Sequence, residues 1–248
     1  MRQEAVLQWP DQGASLARIH EEKKRYFWCK RCMDIVLSLL ILIITLPLFL
    51  LIALLIKVDS PGPVFFKQER VGLRKRSIGG QKGWGLGTFT MYKFRTMYHN
   101  CNPSIHQQFM KALIRSDENQ LAHLRNNSDS MVNKLSNDPR FTRVGKVLRR
   151  ISLDELPQLW NVLKGEMSLV GPRPPIVYEV AEYKPHHWRR LGTIPGFTGF
   201  WQVSGWNTLR FEEMVELDIW YIEHQSLWLD IKILLQTLPA VLSGKGGG

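Results

Sequence analysis

The chain has 248 residues, a hydrophobic fraction of 44% and a formal net charge of +11. This length suits one domain with or without appended segments, and the apolar fraction is sufficient for a folded core. The charge predicts an anionic partner such as nucleic acid, anionic lipid or a phosphorylated substrate. The 3 cysteines are too few for a disulfide framework in a chain of this length and suit a reducing compartment.

Residues 1–29 are predicted to form a polar and basic N-terminal extension. It runs into the motif "CKRC", Cys29 to Cys32, which has the C-x-x-C spacing of some metal sites. No second pair of Cys or His residues follows at the spacing of a zinc site. A surface or lipid-facing position is therefore favoured over metal binding.

Residues 35–56 form an uninterrupted apolar run, "IVLSLLILIITLPLFLLIALLI". A helix of this length would extend ~33 Å, enough to cross the hydrocarbon core of a bilayer. The run lacks the small-residue cleavage site of a signal peptide and the polar face of a soluble core helix. We therefore predict a membrane helix over residues 30–59.

The path of this helix through the membrane depends on Pro47 and on the flanking charges. Proline in a helix interior removes a backbone hydrogen bond and kinks or breaks the helix. Basic residues flank both ends of the run, and such residues mark the cytoplasmic side. These features favour a Pro-broken re-entrant helix that enters and leaves on the same face. A straight spanning helix with a mild kink is the alternative left open.

Residues 60–248 are predicted to form a mostly helical domain with a small β-sheet or hairpin, which makes the fold class α+β. The alternating run over residues 88–97 predicts a strand, and the Gly-rich stretch before it (77–87) lacks the order of a P-loop and predicts a flexible hairpin. Residues 99–137 predict a mobile loop with a short helix near 106–115. Residues 211–242 return to a helical pattern.

Two adjacent acids, Asp154 and Glu155, directly follow a basic helical stripe over residues 140–150. One structural explanation is a capping box formed by Ser152 and Glu155. Pro157 favours a helix that starts at Asp154 instead. Proline would then lie in the first turn, where the backbone N–H that it lacks is not needed for a helical hydrogen bond. Capping by Asp154 would also be a purely structural role.

Cationic residues in otherwise apolar or turn segments favour a catalytic interpretation of the acid pair. They are Lys93, Arg95, Arg149, Arg150 and Arg173. Two carboxylates repel a phosphate unless a cation intervenes, so the pair predicts Mg²⁺ bound by carboxylate and phosphate oxygens. One acid would bind the metal while the other acts as nucleophile in a two-step phosphoryl transfer.

The ordered motifs "MYKFRTM", "RRISLDELPQLWNVLKGEMSLVGPRP", "PGFTGFWQVSG" and "ELDIWYIEHQSLWLDIKIL" resemble the bacterial sugar transferases, the monotopic polyprenyl-phosphate phosphoglycosyl transferases. The resemblance implies an enzyme that moves a sugar phosphate from a UDP-sugar to undecaprenyl phosphate and releases UMP. It implies the first membrane step of exopolysaccharide, capsule or O-antigen synthesis. It also implies the bacterial inner membrane, with residues 60–248 as a catalytic domain on the cytoplasmic face.

The resemblance assigns roles to individual positions. Asp154 would carry the phosphosugar intermediate and Glu155 would bind Mg²⁺, while Pro47 would break the re-entrant helix. The substrate-binding positions predicted from the motifs and the basic residues together are Lys93, Arg95, Arg149, Arg173 and Asp218.

Three features depart from the family pattern. Leu46 stands where some members have a serine before the breaking proline, and Trp206 stands where many have an arginine after "QVSG". If that arginine contacts the donor, donor recognition differs in this chain. The Gly-rich insertion over residues 77–87 is also longer than usual.

Two functions of other classes compete with the transferase. A membrane-tethered nucleic-acid binder would explain the charge, but the basic run ends in paired acids and no nucleic-acid motif is present. A non-catalytic membrane scaffold is disfavoured because Asp154, Glu155 and Arg173 are all retained. The expected partners are a UDP-sugar, undecaprenyl phosphate and membrane lipid, without nucleic acid. The sugar and the oligomeric state, with a homo-oligomer as one option, are left open.

Overall fold

The computed structural model describes residues 23–78, 81–102, 104–124, 140–205 and 208–242. Most of the predicted N-terminal extension (residues 1–22), part of the predicted loop (125–139) and Trp206 lie outside these ranges. Within them the chain is mainly helical and has two small two-stranded sheets, in agreement with the predicted α+β class.

The first half of the described chain forms one long helix, a hairpin and two shorter helices: α1 (Lys24–Asp59), β1 (Phe65–Ile78), β2 (Gln81–Phe94), α2 (Ser104–Arg115) and α3 (Glu118–Leu124). The second half forms α4 (Arg143–Arg150), a 3₁₀ turn (Leu153–Glu155), α5 (Gln158–Lys164), β3 (Ser168–Val170), α6 (Val177–Val180), a 3₁₀ helix (Pro185–Leu191), β4 (Gly196–Thr198), α7 (Phe200–Ser204), α8 (Phe211–Glu223) and α9 (Leu227–Leu242).

Helix α1 contains the predicted apolar run and is long and apolar enough to cross a membrane. Helical conformation continues through Pro47, so the predicted interruption of the helix at this residue is not observed. A bend at Pro47 stays a prediction. The helix starts at Lys24 rather than near residue 30, and its first turn is held by a hydrogen bond from the Tyr26 hydroxyl to Asp230 on α9.

One face of α1 packs against the rest of the protein along most of its length. Leu37 and Ile41 contact the core near α5 and β3, while Ile52 and Ile56 are buried against Phe94 and the adjoining helix α4. The opposite face exposes large apolar side chains, namely Val36, Leu40, Ile43, Leu50, Leu54 and Val58. Both ends of the apolar run therefore contact the same globular domain.

Polar contacts fix the start of the apolar run to this domain. The Lys30 ammonium donates to Asp230 Oδ2 over 2.7 Å, and both side chains are buried. The Arg31 guanidinium donates to the carbonyl oxygens of Val162 and Leu163 over 2.5 and 2.7 Å. These carbonyls lie in the last turn of α5, at the negative end of the helix dipole, where a cationic donor is favoured.

Strands β1 and β2 form an antiparallel hairpin, so the predicted strand and Gly-rich hairpin are confirmed as one longer element. β2 begins at Gln81, inside the Gly-rich stretch. The predicted loop over residues 99–137 contains the expected short helix, α2, and an additional helix, α3. Helix α2 buries Phe109 and Leu113 in a cluster that also includes Val215 of α8.

The basic stripe before the acid pair forms α4, as its periodicity predicts. The Thr142 hydroxyl caps this helix by accepting the backbone N–H of Gly145 over 3.0 Å. A Cβ atom on Gly145 would lie 2.0 Å from the carbonyl oxygen of Thr96, so this position requires glycine. The close approach brings the end of β2 beside the helix that leads into the acid pair.

Candidate active site

The acid pair lies in the 3₁₀ turn between α4 and α5. The chain enters this turn through Ser152, whose φ of 56° is uncommon for a residue with a side chain. The prediction that a helix starts at Asp154 is wrong, because Pro157 occupies the N-cap and α5 begins at Gln158. The Ser152 side chain makes no capping hydrogen bond either, so the capping-box explanation is not observed.

Lys93 and Arg173 meet the acid pair from different elements. Lys93 is on β2, and its Nζ lies 2.5 Å from Glu155 Oε1 and 3.9 Å from Asp154 Oδ2. Arg173 follows β3, and its Nη1 lies 3.6 Å from the same Glu155 oxygen. The structure thus brings together four of the predicted site residues, although Lys93 and Asp154 are 61 positions apart in the chain.

The pKa values of the two adjacent carboxyl groups are shifted in opposite directions. Burial raises the pKa of Asp154 to about 6, although the charge of Lys93 opposes this shift. Burial acts on Glu155 in the same direction, but the charges of Lys93 and Arg173 outweigh it and lower its pKa to about 2. Glu155 is therefore a permanent anion, whereas Asp154 gains its charge near pH 6.

Arg149 lies at the edge of this site. Its guanidinium carbon sits 4.2 Å from the centre of the Phe141 ring, a cation–π contact that orients the side chain. Its charge is close enough to lower the pKa of Asp154 against the effect of burial. The predicted phosphate-binding position of Arg149 is thus compatible with the observed geometry.

Arg95 and Asp218 are not brought to the acid pair. The buried Arg95 guanidinium donates to the carbonyl oxygens of Ser60, over 2.7 Å, and of Pro61, at the end of α1. Asp218 is buried on α8, where its Oδ2 accepts from Nε and Nη2 of Arg190 over 3.0 and 2.6 Å. Both residues were predicted to bind substrate, and both instead contact other parts of the protein.

Arg70 was not identified from the sequence, although it supports the site. Its Nη1 donates to the carbonyl oxygen of Pro174 over 2.8 Å, and the backbone N–H of Val71 donates to Pro175. These bonds attach to β1 the segment that carries Arg173. The charge of Arg70 also lowers the pKa of Glu155. A single arginine within a basic strand gives no local signal for this role, because the Pro174 carbonyl that it contacts is 104 residues away.

The acid pair suits Mg²⁺. Magnesium prefers hard oxygen ligands and is commonly held in proteins by one or two carboxylates together with substrate phosphates. Lys93 and Arg173 both approach Oε1 of Glu155. The geometry therefore offers Glu155 Oε2 and the Asp154 carboxyl to a metal, and the low pKa of Glu155 keeps its carboxylate in the ligating form.

A second cluster of potential metal ligands in the described ranges consists of His186, His187 and Glu212. The Nε2 atoms of the two histidines lie 2.8 and 3.0 Å from Glu212 Oε2. However, Nδ1 of His187 accepts the backbone N–H of Lys184, which places the imidazole proton on Nε2, facing Glu212. A metal-binding imidazole donates its other N–H instead, so this arrangement suits a hydrogen-bond network and not a metal site.

The chain belongs to the bacterial sugar transferase family, which it matches over residues 25–244. It is 40% identical over 225 residues to galactosyl transferase CpsE of Streptococcus agalactiae, covering 90% of this chain and 44% of that protein. It is 40% identical over 224 residues to the undecaprenyl-phosphate galactose phosphotransferase of Salmonella typhimurium, covering 90% and 42%. It is 39% identical over 217 residues to the exopolysaccharide production protein ExoY of Sinorhizobium fredii, covering 88% and 87%.

These comparisons confirm the family predicted from the sequence motifs. The chain spans less than half the length of the first two relatives, and most of the length of ExoY. The family match, residues 25–244, includes all but the first residue of α1, the hairpin and the acid pair.

The contacts of Arg95 predict that it stabilises the fold and does not bind substrate. We expect Arg95→Met to lower the free energy of unfolding by about 2–3 kcal/mol, because charged hydrogen bonds to the end of α1 are lost. Thermal unfolding in detergent measures this change. Arg173→Met is the matched control, since Arg173 is partly exposed and its loss should reduce turnover with little change in unfolding temperature. The reverse pattern would assign substrate binding to Arg95.

Proposed function

We propose that this protein transfers a sugar 1-phosphate from a UDP-sugar to undecaprenyl phosphate and releases UMP. The observation that carries the proposal is the acid pair, in which Lys93 and Arg173 keep Glu155 ionised while burial makes Asp154 a carboxyl that ionises near pH 6. Relatives named undecaprenyl-phosphate galactose phosphotransferase and UDP-galactose-lipid carrier transferase support the same reaction class.

In the first step, an oxygen of the Asp154 carboxylate attacks the phosphorus that is bonded to the sugar. A new O–P bond forms to Asp154, the P–O bond to the nucleotide breaks, and UMP leaves with the bonding electron pair. Lys93 and Arg173 lie where they can neutralise the phosphoryl oxygens during this transfer. The product on the protein is an acyl phosphate, a mixed anhydride that joins the Asp154 carboxyl to the sugar phosphate.

In the second step, a phosphate oxygen of undecaprenyl phosphate attacks the same phosphorus. The new P–O–P bond forms, the bond to Asp154 breaks, and the carboxylate is regenerated. The lipid must reach Asp154 from the membrane. Ile52 and Ile56 of α1 belong to the cluster that packs beside the acid-pair turn, through Leu153 and Leu156. The site thus lies next to the membrane helix, as a lipid acceptor requires.

Glu155 is the proposed ligand of Mg²⁺, and when bound the ion would supply positive charge beside the phosphoryl oxygens. This role explains why a second carboxylate is tolerated at a phosphate site. Lys93 would remain beside Oε1 and would hold the carboxylate in place. Asp154 would then keep an oxygen free for the attack.

We further propose that α1 is inserted from one face only, with the domain on the cytoplasmic side. Both ends of its apolar run pack on the same domain, while the exposed face is apolar throughout its middle. A helix that left the domain to cross the bilayer would carry one end away from it. Basic residues at both ends support the same orientation.

Replacement of the nucleophile gives the most direct test. We expect Asp154→Asn to abolish UMP release from UDP-sugars with Mg²⁺ present, and EDTA to suppress release by the unmodified protein. A panel of UDP-sugars with undecaprenyl phosphate would also identify the sugar. Intact-protein mass spectrometry should show a phosphosugar adduct in the absence of acceptor. Normal turnover by Asp154→Asn would refute the covalent route, and UDP-sugar binding without any turnover would indicate a non-catalytic scaffold.

The raised pKa of Asp154 predicts the pH dependence of the first step. Only the ionised carboxylate attacks, so UMP release should be maximal above about pH 7 and fall about tenfold per unit below pH 6. Single-turnover UMP release without acceptor isolates this step from ionisation of the lipid phosphate. A fall in the rate of UMP release centred near pH 4, the ordinary pKa of Asp, would contradict the effect of burial.

The one-face insertion of α1 can be tested by labelling. Single cysteines would be introduced as Arg25→Cys and Lys57→Cys in a chain whose Cys29, Cys32 and Cys101 are replaced by serine. A membrane-impermeant maleimide should label both positions in inside-out vesicles and neither in right-side-out spheroplasts. Labelling of one position from each side would establish a spanning helix instead.

A further inference from the structure

His106 of α2 and Tyr178 of α6 form a contact for which the two proposed steps provide no role. His106 Nδ1 lies 2.6 Å from the Tyr178 hydroxyl oxygen, and the two rings meet edge-on with centroids 6.3 Å apart. Both side chains are partly exposed, so each keeps a surface open to a ligand. Neither residue was assigned a role from the sequence, because they are 72 positions apart in the chain.

The His106 imidazole shares its cationic surroundings with the acid pair. Burial is the main reason that the pKa of His106 falls to about 4, and nearby guanidinium charges act in the same direction. These groups belong to Arg70, Arg140, Arg149 and Arg173. Arg149 and Arg173 also act on Asp154, and Arg70 and Arg173 on Glu155. Contacts link these groups: Arg173 Nη1 lies 3.6 Å from Glu155 Oε1, Arg70 donates to Pro174 between Arg173 and Tyr178, and Arg140 donates to the Asn102 carbonyl just before α2.

The hydrogen bond to Tyr178 determines what His106 can offer. The pKa of Tyr178 is raised by burial and by the charge of Glu179, so the hydroxyl keeps its proton. When this hydroxyl donates to Nδ1 of the neutral imidazole, the imidazole proton lies on Nε2. His106 then presents a neutral N–H donor beside guanidinium groups, a combination suited to carbonyl and phosphate oxygens.

The location of the pair separates it from the membrane side of the site. Helix α2 packs against α3, α6 and α8, whereas α1 packs against α4, α5, β3 and α9. A lipid acceptor reaches Asp154 along α1. The part of the surface near α2 and α6 is therefore available to the water-soluble part of the donor.

We infer that His106 and Tyr178 bind the nucleoside end of the UDP-sugar, with the donor's diphosphate lying along the arginines toward Asp154. The Nε2–H of His106 donates to an oxygen of the uridine, and the ring edges of both residues contact its surface. This inference rests on the proposed function and adds a recognition site for the leaving group. It places the sugar at Asp154 and the uracil base at His106 of α2 and Tyr178 of α6, which together are called the α2–α6 wall.

The test measures donor and product binding in variants of this wall. We expect His106→Ala to raise both the KM for UDP-sugar and the Kd for UMP roughly 3- to 10-fold, the loss typical of one hydrogen bond. The value of kcat should change less than about twofold. Tyr178→Phe keeps the ring but releases the imidazole, so a smaller increase in both constants is expected. His106→Gln, which retains an N–H donor, should recover part of the affinity.

Two controls distinguish recognition from a structural effect. His123→Ala removes an exposed histidine on the neighbouring helix α3 and should leave KM and Kd unchanged. Inhibition by inorganic pyrophosphate should be the same in the unmodified protein and in His106→Ala, because the arginines bind the phosphates. Equal loss of UMP and pyrophosphate affinity would mean that His106 supports the fold of the site and does not contact the nucleoside.

The outcome is separable from that of the proposed function. UMP affinity is measured without turnover, so it tests nucleoside binding at the α2–α6 wall even if no UDP-sugar is consumed. Unchanged KM and UMP affinity in His106→Ala, in an enzyme that releases UMP normally, would overturn the inference and leave the reaction intact. Failure of the unmodified protein to bind UMP would overturn it as well.

Discussion

The contact between Lys93 and Glu155 is the interaction on which the candidate site depends. Two neighbouring carboxyl groups in a largely buried turn would repel each other and any phosphate. The Lys93 ammonium, 2.5 Å from Glu155, keeps that acid ionised, and burial leaves Asp154 to titrate near pH 6. Burial and unequal contact with cations thus give adjacent residues different chemistry, which fits the proposed metal-binding and nucleophilic roles.

The fold holds this contact in place from three directions. The hairpin carries Lys93, the tight packing of Gly145 against Thr96 places α4 beside the end of the hairpin, and the segment after β3 brings Arg173. Arg70 attaches that segment to β1. The long apolar helix packs along the same domain, so its exposed apolar face and the acid pair have a defined relation. A reaction between a soluble nucleotide sugar and a lipid needs such a relation, since the substrates arrive from different phases.

The site also has two sides with different chemistry. Apolar residues of α1 pack close to the acid-pair turn, while Arg173 contacts Glu155 and Arg70 donates to Pro174 on the segment that leads to Tyr178. A lipid phosphate and a nucleoside diphosphate present opposite requirements, one for an apolar approach and one for cations and neutral donors. The proposed donor and acceptor would therefore approach Asp154 over different parts of the surface.

The sequence by itself determined the family, the apolar helix, the hairpin, the helical stripe over residues 140–150 and the importance of Asp154 and Glu155. These features depend on local periodicity and on contiguous motifs, which are present in the sequence itself. Tertiary structure decided which cations serve the acids: Lys93 and Arg173 contact Glu155, whereas Arg95 binds the end of α1 and Asp218 pairs with Arg190. It also moved the start of α5 beyond Pro157 and brought His106 to Tyr178. A charged side chain takes its role from the partners that folding places within a few ångströms, and those partners are distant in the chain.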